Sequence, residues 1–142
     1  MILNLLSNYF GIYPLGFLFL KKSINCKYEE RLAINMTSFS HALGCSLINT
    51  AYLLYPASSL LVLSKNFSIG YFMYDSWNVV KKLKYSNMDY VFIYHHLASI
   101  YFVNLSLPNY YVQKILLASE ISNLPYYFVY HYLHTSPKRM RT

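Results

Sequence analysis

The sequence predicts an all-α fold, a polytopic bundle of about five transmembrane helices formed by a single domain over residues 1–142. Composition is the first reason, because 56% of the residues are hydrophobic and 12% are charged, whereas soluble domains are about half apolar and about a quarter charged. The second reason is that the basic residues fall between apolar runs. The mean hydropathy of +0.25 is low for a membrane protein, but 17 tyrosines lower it, and tyrosine is well tolerated at the membrane interface. A soluble helical domain with a buried core is the alternative.

Five apolar runs are long enough to cross the hydrocarbon core, which takes roughly 20 residues and about 17 at least. They cover residues 2–20, 32–55, about 67–83, 88–107 and 110–133. The first run is expected to be a retained span, because its positive charge follows the apolar core, the reverse of a cleavable signal peptide.

The third run is the least regular, because Lys65 and Asn66 interrupt it. We expect both residues in the loop that follows the second helix. Asn66 also begins one of three glycosylation triplets, and it is the only one of the three asparagines expected in a loop on the far side of the membrane.

The basic residues predict the orientation of the bundle. Ten of the twelve lie in the connections around residues 21–31 and 81–84 and after Pro137. Short loops rich in Lys and Arg stay in the cytosol, so the C-terminus is expected there and the N-terminus on the far side. Nucleic-acid binding is not expected, because the basic residues punctuate apolar runs instead of forming a stripe on a polar face.

The two cysteines, Cys26 and Cys45, match neither a disulfide framework nor a zinc-ligand spacing. No metal and no resident cofactor are therefore expected.

Five ionisable side chains fall inside the predicted spans at similar depth. Measured at about 1.5 Å per residue from the predicted cytosolic ends, His41 lies roughly 14 Å deep, Asp75 roughly 13 Å, His95 and His96 roughly 11 to 12 Å, and Glu120 roughly 20 Å. Such groups cost about 2.5 to 3.5 kcal/mol in hydrocarbon, so they normally face a bundle interior or a wet cavity. The pattern predicts one polar cavity that opens toward the cytosol.

The adjacent histidines are the most informative pair. Neighbouring side chains on a helix point about 100° apart, so one of His95 and His96 can face the cavity while the other meets Asp75 or Glu120. The structural alternative is that His41 and the histidine pair are interhelical hydrogen-bond donors, each worth about 0.6 kcal/mol. Asp75 and Glu120 would then be structural pins of their helices.

Four motifs over residues 31–134 also resemble the TLC-domain family, in its order and spacing. They read SFSHA at 38–42, SIGYFMYD at 68–75, YHHLAS at 94–99 and SEIS at 119–122. The family includes ceramide synthases, translocating-chain-associated proteins and the ceroid-lipofuscinosis protein, and the chain most resembles its small members. The family pattern continues with a further span or two, so this chain is expected to be a C-terminally shortened member.

The resemblance implies a bundle around a lipid-accessible cavity in the endoplasmic reticulum or a related endomembrane. In ceramide synthases the histidine pair is catalytic and joins an acyl group from acyl-CoA to the amine of a sphingoid base. That role would fall on His95 and His96, and lipid binding on His41, Asp75 and Glu120. Asn123 stands where a second acidic residue of the synthases is expected.

Three functions follow as hypotheses. The first is lipid binding, sensing or membrane lipid homeostasis, with membrane lipids as the partners. The second is an N-acyltransferase of ceramide synthase type, with acyl-CoA as co-substrate, and the third is a cargo or translocation adaptor. With five spans, the cavity would be open at one side, closed by a second copy in a homo-oligomer, or part of an inactive relative.

Overall fold

The computed structural model describes residues 12–81, 86–105 and 108–135, and within them the chain is all-α, as predicted. Five helices make up these ranges: α1 (Ile12–Asn25), α2 (Glu30–Leu54), α3 (Ser58–Val80), α4 (Asn87–Asn104) and α5 (Asn109–Thr135). Among the described residues, none of the helices has both the length and the apolar character needed for a membrane crossing.

Successive helices run in opposite directions, which brings alternate helix ends together. Lys21 at the end of α1 shows this, because its Nζ lies 3.0 Å from Glu30 Oε1 on α2 and donates to Asn78 Oδ1 on α3 at 3.3 Å. We call this the basic end, since Lys22, Lys27, Arg31 and Lys81 also lie there. The opposite end contains Pro56 and Pro108, and we call it the proline end.

The helices pack unevenly. The interface between α2 and α5 is the most extensive, α1 packs on α2 and α3, and α4 packs on α3. Two apolar clusters occupy the interior, one around Phe17, Tyr71, Phe72 and Tyr74 and the other around Cys45, Ile69, Val103, Val112 and Leu116. The side of α4 that faces α5 is much less closely packed, and the candidate site lies there.

A glycine allows the closest helix approach. A Cβ atom on Gly70 of α3 would clash with the Cβ of Tyr13 on α1. Small residues permit this kind of backbone approach between helices, so the sequence SIGYFMYD uses its glycine to seat α1 against α3.

The predicted start of the third span is wrong. Helix α3 begins at Ser58, so Lys65 and Asn66 lie inside it and not in a loop. Asn66 is 8% exposed and Ser68 is fully buried. A buried triplet within a helix cannot accept a glycan, because that modification needs an accessible loop. The prediction treated polar residues here as the sign of a loop, but Asn66 and Ser68 face the interior of the bundle.

The first helix also ends later than predicted. Helix α1 extends to Asn25, so Lys21 and Lys22 belong to its last turns and not to the connection. Residues 2–11 of the predicted span lie outside the described residues.

The start of α4 is well defined, since Ser86 and Asp89 form a capping box in which each side chain accepts from the other's backbone N–H.

Polar side chains share the interior with the two apolar clusters, and many large apolar side chains face outward. Gln113 is fully buried and His41 is 1% exposed, whereas Tyr94 is 73% and Phe128 65% exposed. The inward polar residues follow heptad-like spacing on three helices: Asn35, Ser38, His41, Cys45 and Asn49 on α2; Ser64, Ser68, Tyr71, Asp75 and Asn78 on α3; Gln113, Glu120 and Tyr127 on α5. A polar seam therefore runs along the α2, α3 and α5 junction.

Candidate functional site

A cleft opens between α4 and α5, and residues of α2 and α3 also form part of its walls. It consists of two adjoining cavities of about 640 and 440 Å³. The two share Phe72, His95, Glu120 and Asn123 in their walls, so we treat them as one feature, the α4–α5 cleft. Each volume lies within the range of about 300 to 1,000 Å³ that is usual for ligand sites.

Glu120 projects from α5 into this cleft and is held from behind by His41. The Nδ1 of His41 lies 3.7 Å from Glu120 Oε2, and both side chains are buried. His41 stacks on Tyr71, with ring centroids 3.9 Å apart and an interplanar angle of 8°. Among the described residues, no hydrogen-bond partner faces its Nε2. His41 does not line the cleft, and its predicted role in lipid binding stays a prediction.

Asp75 and His96 form a second imidazole–carboxylate pair, between α3 and α4. The Nε2 of His96 lies 3.5 Å from Asp75 Oδ2. His96 is buried and stacks on Phe72 with ring centroids 5.6 Å apart, while its Nδ1 has no hydrogen-bond partner within the part of the chain that the structure describes. Both residues line the larger cavity.

His95 has a different environment from its neighbour. It is exposed and lines both cavities, and its ring centroid is 5.5 Å from that of His96. The turn of about 100° between adjacent helix positions explains the split: His96 meets the carboxylate of Asp75, and His95 faces the opening. The structure thus brings the five predicted site residues together. Asp75, His95, His96 and Glu120 line the cleft, and His41 lies behind Glu120.

The basic end of the cleft is lined by polar groups in fixed positions. Tyr71 donates its hydroxyl to Ser38 Oγ at 2.8 Å, and Asn35 Nδ2 donates to the Tyr127 carbonyl at 3.1 Å. Arg31 also lines the larger cavity. Asn35 and Tyr127 join α2 to α5 just after Pro125, which lacks the N–H that would continue the helical bonding.

A second polar group, nearer the proline end, was missed by the sequence analysis. Ser64 Oγ lies 2.8 Å from Asn49 Oδ1 and 2.7 Å from Gln113 Oε1, so one hydroxyl joins α2, α3 and α5. Asn49 Nδ2 also donates to the Cys45 carbonyl, and Cys45 Sγ lies 3.4 Å from Ser68 Oγ. All five side chains are fully buried. We call this group the polar lock.

The hydrogens of the polar lock have one consistent assignment. A serine hydroxyl carries a single proton, so Ser64 cannot donate to both amide oxygens. Turning the Gln113 amide by 180° lets its nitrogen donate to Ser64, and Ser64 then donates to Asn49. Each of Asn49, Ser64 and Gln113 continues the heptad-like spacing of inward polar residues on its own helix. That spacing is the signal that could have found them.

The chemistry available in the cleft is that of imidazoles and carboxylates. Within residues 12–81, 86–105 and 108–135, no three His, Cys, Asp or Glu side chains converge as a metal site would require. The two carboxylates can accept hydrogen bonds from hydroxyl or ammonium groups, and the imidazoles can accept or donate a proton.

Comparisons with family profiles, with curated proteins and with solved structures find no match to this chain. The likeness to the TLC-domain family therefore depends on the four sequence motifs and stays a prediction.

Proposed function

We propose that this chain is a polytopic helical membrane protein of TLC type that binds a membrane lipid in the α4–α5 cleft and serves lipid sensing or lipid homeostasis. The endoplasmic reticulum or a related endomembrane is its proposed location, with the C-terminus in the cytosol. The carrying observation is the burial pattern, in which many large apolar side chains face outward and a polar seam lies in the interior beside the two apolar clusters.

This burial pattern supports a lipid environment for a physical reason. Soluble monomers rarely expose large continuous apolar patches, but all five described helices turn large apolar side chains outward. They include Leu15, Phe19, Leu43, Leu47, Val62, Leu97, Tyr101, Ile115, Ile121 and Phe128. Conversely, ionisable groups such as Glu120 and His41 gain from facing a shared cavity and not hydrocarbon.

Lipid as the ligand fits the cleft better than a small soluble metabolite. The opening lies between two helices whose outer surfaces are apolar, and exposed Phe92 and Tyr126 flank it. Asp75 and Glu120 give the interior two hydrogen-bond acceptors for a head group. A molecule with both polar and apolar parts would satisfy the two surfaces together.

Glu120→Gln tests this proposal, because it keeps the shape of the side chain and removes its charge. Bound lipid, measured by mass spectrometry after purification in mild detergent, should fall about tenfold, since a hydrogen bond to a charged group contributes roughly 1.5 to 3 kcal/mol. Glu30→Gln is the matched control, because Glu30 is an exposed glutamate that pairs with Lys21 outside the cleft. Equal lipid content in both variants and the parent would contradict the proposal.

The native cysteines test the proposed orientation without engineering. Cys26 is exposed at the basic end and Cys45 is buried. By the positive-inside rule the basic end faces the cytosol, so an impermeant maleimide should label Cys26 in sealed microsomes, whose cytosolic face is outward. Cys26→Ser should abolish the signal. Labelling that appears only after the vesicles are opened would reverse the orientation.

An acyl-CoA-dependent N-acyltransferase is a second candidate, favoured by the His96 and Asp75 pair beside the accessible His95. In such a reaction a substrate amine attacks the thioester carbonyl, the C–N bond forms and the C–S bond breaks. The imidazole of His95 or His96 would take the amine proton and return it to the departing thiolate. Release of free coenzyme A thiol, together with an amide product found by mass spectrometry, tests this candidate. Copurification of secretory proteins with neither lipid nor turnover would instead support the adaptor hypothesis.

A further inference from the structure

Ionisable groups are concentrated toward one end of the α4–α5 cleft. Toward the basic end its walls carry Arg31, Asp75 and His96. At the middle stand His95 and Glu120, which belong to both cavities. The residues that line the smaller cavity alone are uncharged: Ala98, Ser99 and Phe102 on α4, and Ile115, Leu116, Ser119 and Ser122 on α5. One continuous cleft thus offers charged partners at one end and uncharged, partly apolar contacts at the other.

We infer that the bound lipid lies along this gradient, with its head group toward the basic end and one hydrocarbon chain in the apolar part between α4 and α5. The inference rests on the proposed function and adds the ligand's orientation to it. The reverse orientation would place a chain against two carboxylates and a head group against Phe102 and Leu116, which costs free energy at both ends. The polarity of the walls therefore selects one direction.

The dimensions of the cleft fit a single chain. His95 and Phe102 are seven residues apart on α4, which corresponds to roughly 10 Å along the helix. Half of the roughly 30 Å hydrocarbon thickness is about 15 Å, whereas Phe102 lies roughly 22 Å from the basic end of α4, so a chain that runs from the histidines to Phe102 passes the middle of the bilayer. Because its head group is toward the basic end, the ligand is a lipid of that leaflet, which is the cytosolic leaflet in the proposed orientation.

Entry from the side of the bundle follows from the same walls. Ser119, Ser122 and Asn123 line the cleft and are exposed, as are His95 and Ala98 on the facing helix. A lipid can therefore pass between α4 and α5 with its head group against His95 and the polar side chains of α5. A larger residue at Ala98 would narrow the apolar part without changing the carboxylates.

A tryptophan in the apolar part can report the chain directly. Trp77 is the only tryptophan of the chain, so Trp77→Phe gives a background in which Phe102→Trp places one fluorophore on the cleft wall. Tyr101→Trp is the matched control, because Tyr101 is adjacent in sequence, is exposed and does not line the cleft. The probe is a microsomal lipid extract whose unsaturated chains are brominated, diluted into nanodiscs of unbrominated phosphatidylcholine.

The inference predicts saturable quenching at position 102 at a mole fraction roughly tenfold below that needed at position 101, a preference of about 1.4 kcal/mol. Adding Ala98→Phe should remove the saturable part, while Leu97→Phe on the outer face should leave it. Equal, proportional quenching at both positions, in a preparation that still carries bound lipid by mass spectrometry, would overturn the orientation and leave the proposed function standing. A preparation without bound lipid would defeat the proposed function and this inference with it.

Discussion

The polar lock and the α4–α5 cleft have similar residue types but different geometry. In the polar lock, Ser64 makes contacts of 2.7 and 2.8 Å to two amide groups, and all five side chains are fully buried. In the cleft, the two imidazole–carboxylate contacts are longer, 3.5 and 3.7 Å, and a cavity adjoins both carboxylates. Polar residues on one seam thus form a closed group near the proline end and an open one near the basic end.

This difference means that the polar side chains of the polar lock join helices, whereas those of the cleft can contact a ligand. A buried polar group is usually satisfied within the protein, and each exception calls for an explanation. Ser64 and Asn49 are satisfied by each other's helices. His41 and His96 each keep a ring nitrogen without a hydrogen-bond partner among the described residues, and so does the side-chain amide nitrogen of Gln113 in the polar lock. Of these three residues, His96 lines the cleft, where an added molecule can supply the missing contact.

Replacing His95 and His96 together by leucine should have the largest effect on the difference between the cleft and the polar lock. Two polar groups of the cleft disappear, so bound lipid should fall at least about tenfold, which corresponds to 1.4 kcal/mol or more. Melting should change little, because two groups that are costly in hydrocarbon are removed. Lipid mass and melting are measured on one preparation.

The matched control replaces His131 and His134 on α5, which do not line the cleft, and lipid content should stay unchanged. Early melting of the His95 and His96 variant, with native lipid still bound to its folded fraction, would show a structural pair. Asp75 would then have lost a partner that stabilised it.

The all-α class and the ionisable residues around the cleft were readable from the sequence for different reasons. Long apolar runs between basic connections predicted the helices, and the second run, 32–55, differs from α2 by only one or two residues at each end. Ionisable residues are rare in such runs, so His41, Asp75, His96 and Glu120 stood out. Their pairing needed the structure, because similar depth does not say which helices are neighbours.

The start of α3 was predicted too late because lysine and asparagine are common in loops, so Lys65 and Asn66 indicated a connection. The polar lock was missed because Asn49, Ser64 and Gln113 are uncharged and lie on three separate helices. In this chain such residues face inward at heptad spacing, and a periodicity test for polar residues would have extended α3 to its true start. The division between His41 behind the wall and His95 on it depends on side-chain packing that spacing does not reveal.

Gly70→Ala should sharpen the comparison from outside both polar regions. The added methyl group would clash with the Tyr13 Cβ, so α1 and α3 must separate. Overpacking of this kind costs about 1 to 3 kcal/mol, and we expect the upper part of that range because backbone positions are involved. Thermal melting measures the loss. Gly16→Ala is the control, since no atom of the described residues, apart from its chain neighbours and its own helix backbone, lies within 4 Å of the added carbon; equal melting of the two variants would contradict the close contact.

Ser64→Ala should have the smallest effect and should be confined to stability. Interhelical hydrogen bonds within membrane bundles contribute about 0.6 kcal/mol on average and up to about 1.7 kcal/mol, so the free energy of unfolding should fall by about 1 kcal/mol. Bound lipid per folded molecule should not change, because Ser64 is outside the cleft walls. Ser59→Ala, at an exposed serine of the same helix, should change neither quantity.

Adding Gln113→Ala to Ser64→Ala should cost less than Gln113→Ala alone, since residues in one hydrogen-bond network are coupled. Loss of lipid in Ser64→Ala without loss of stability would place the polar lock in the binding site and remove the distinction between the two regions.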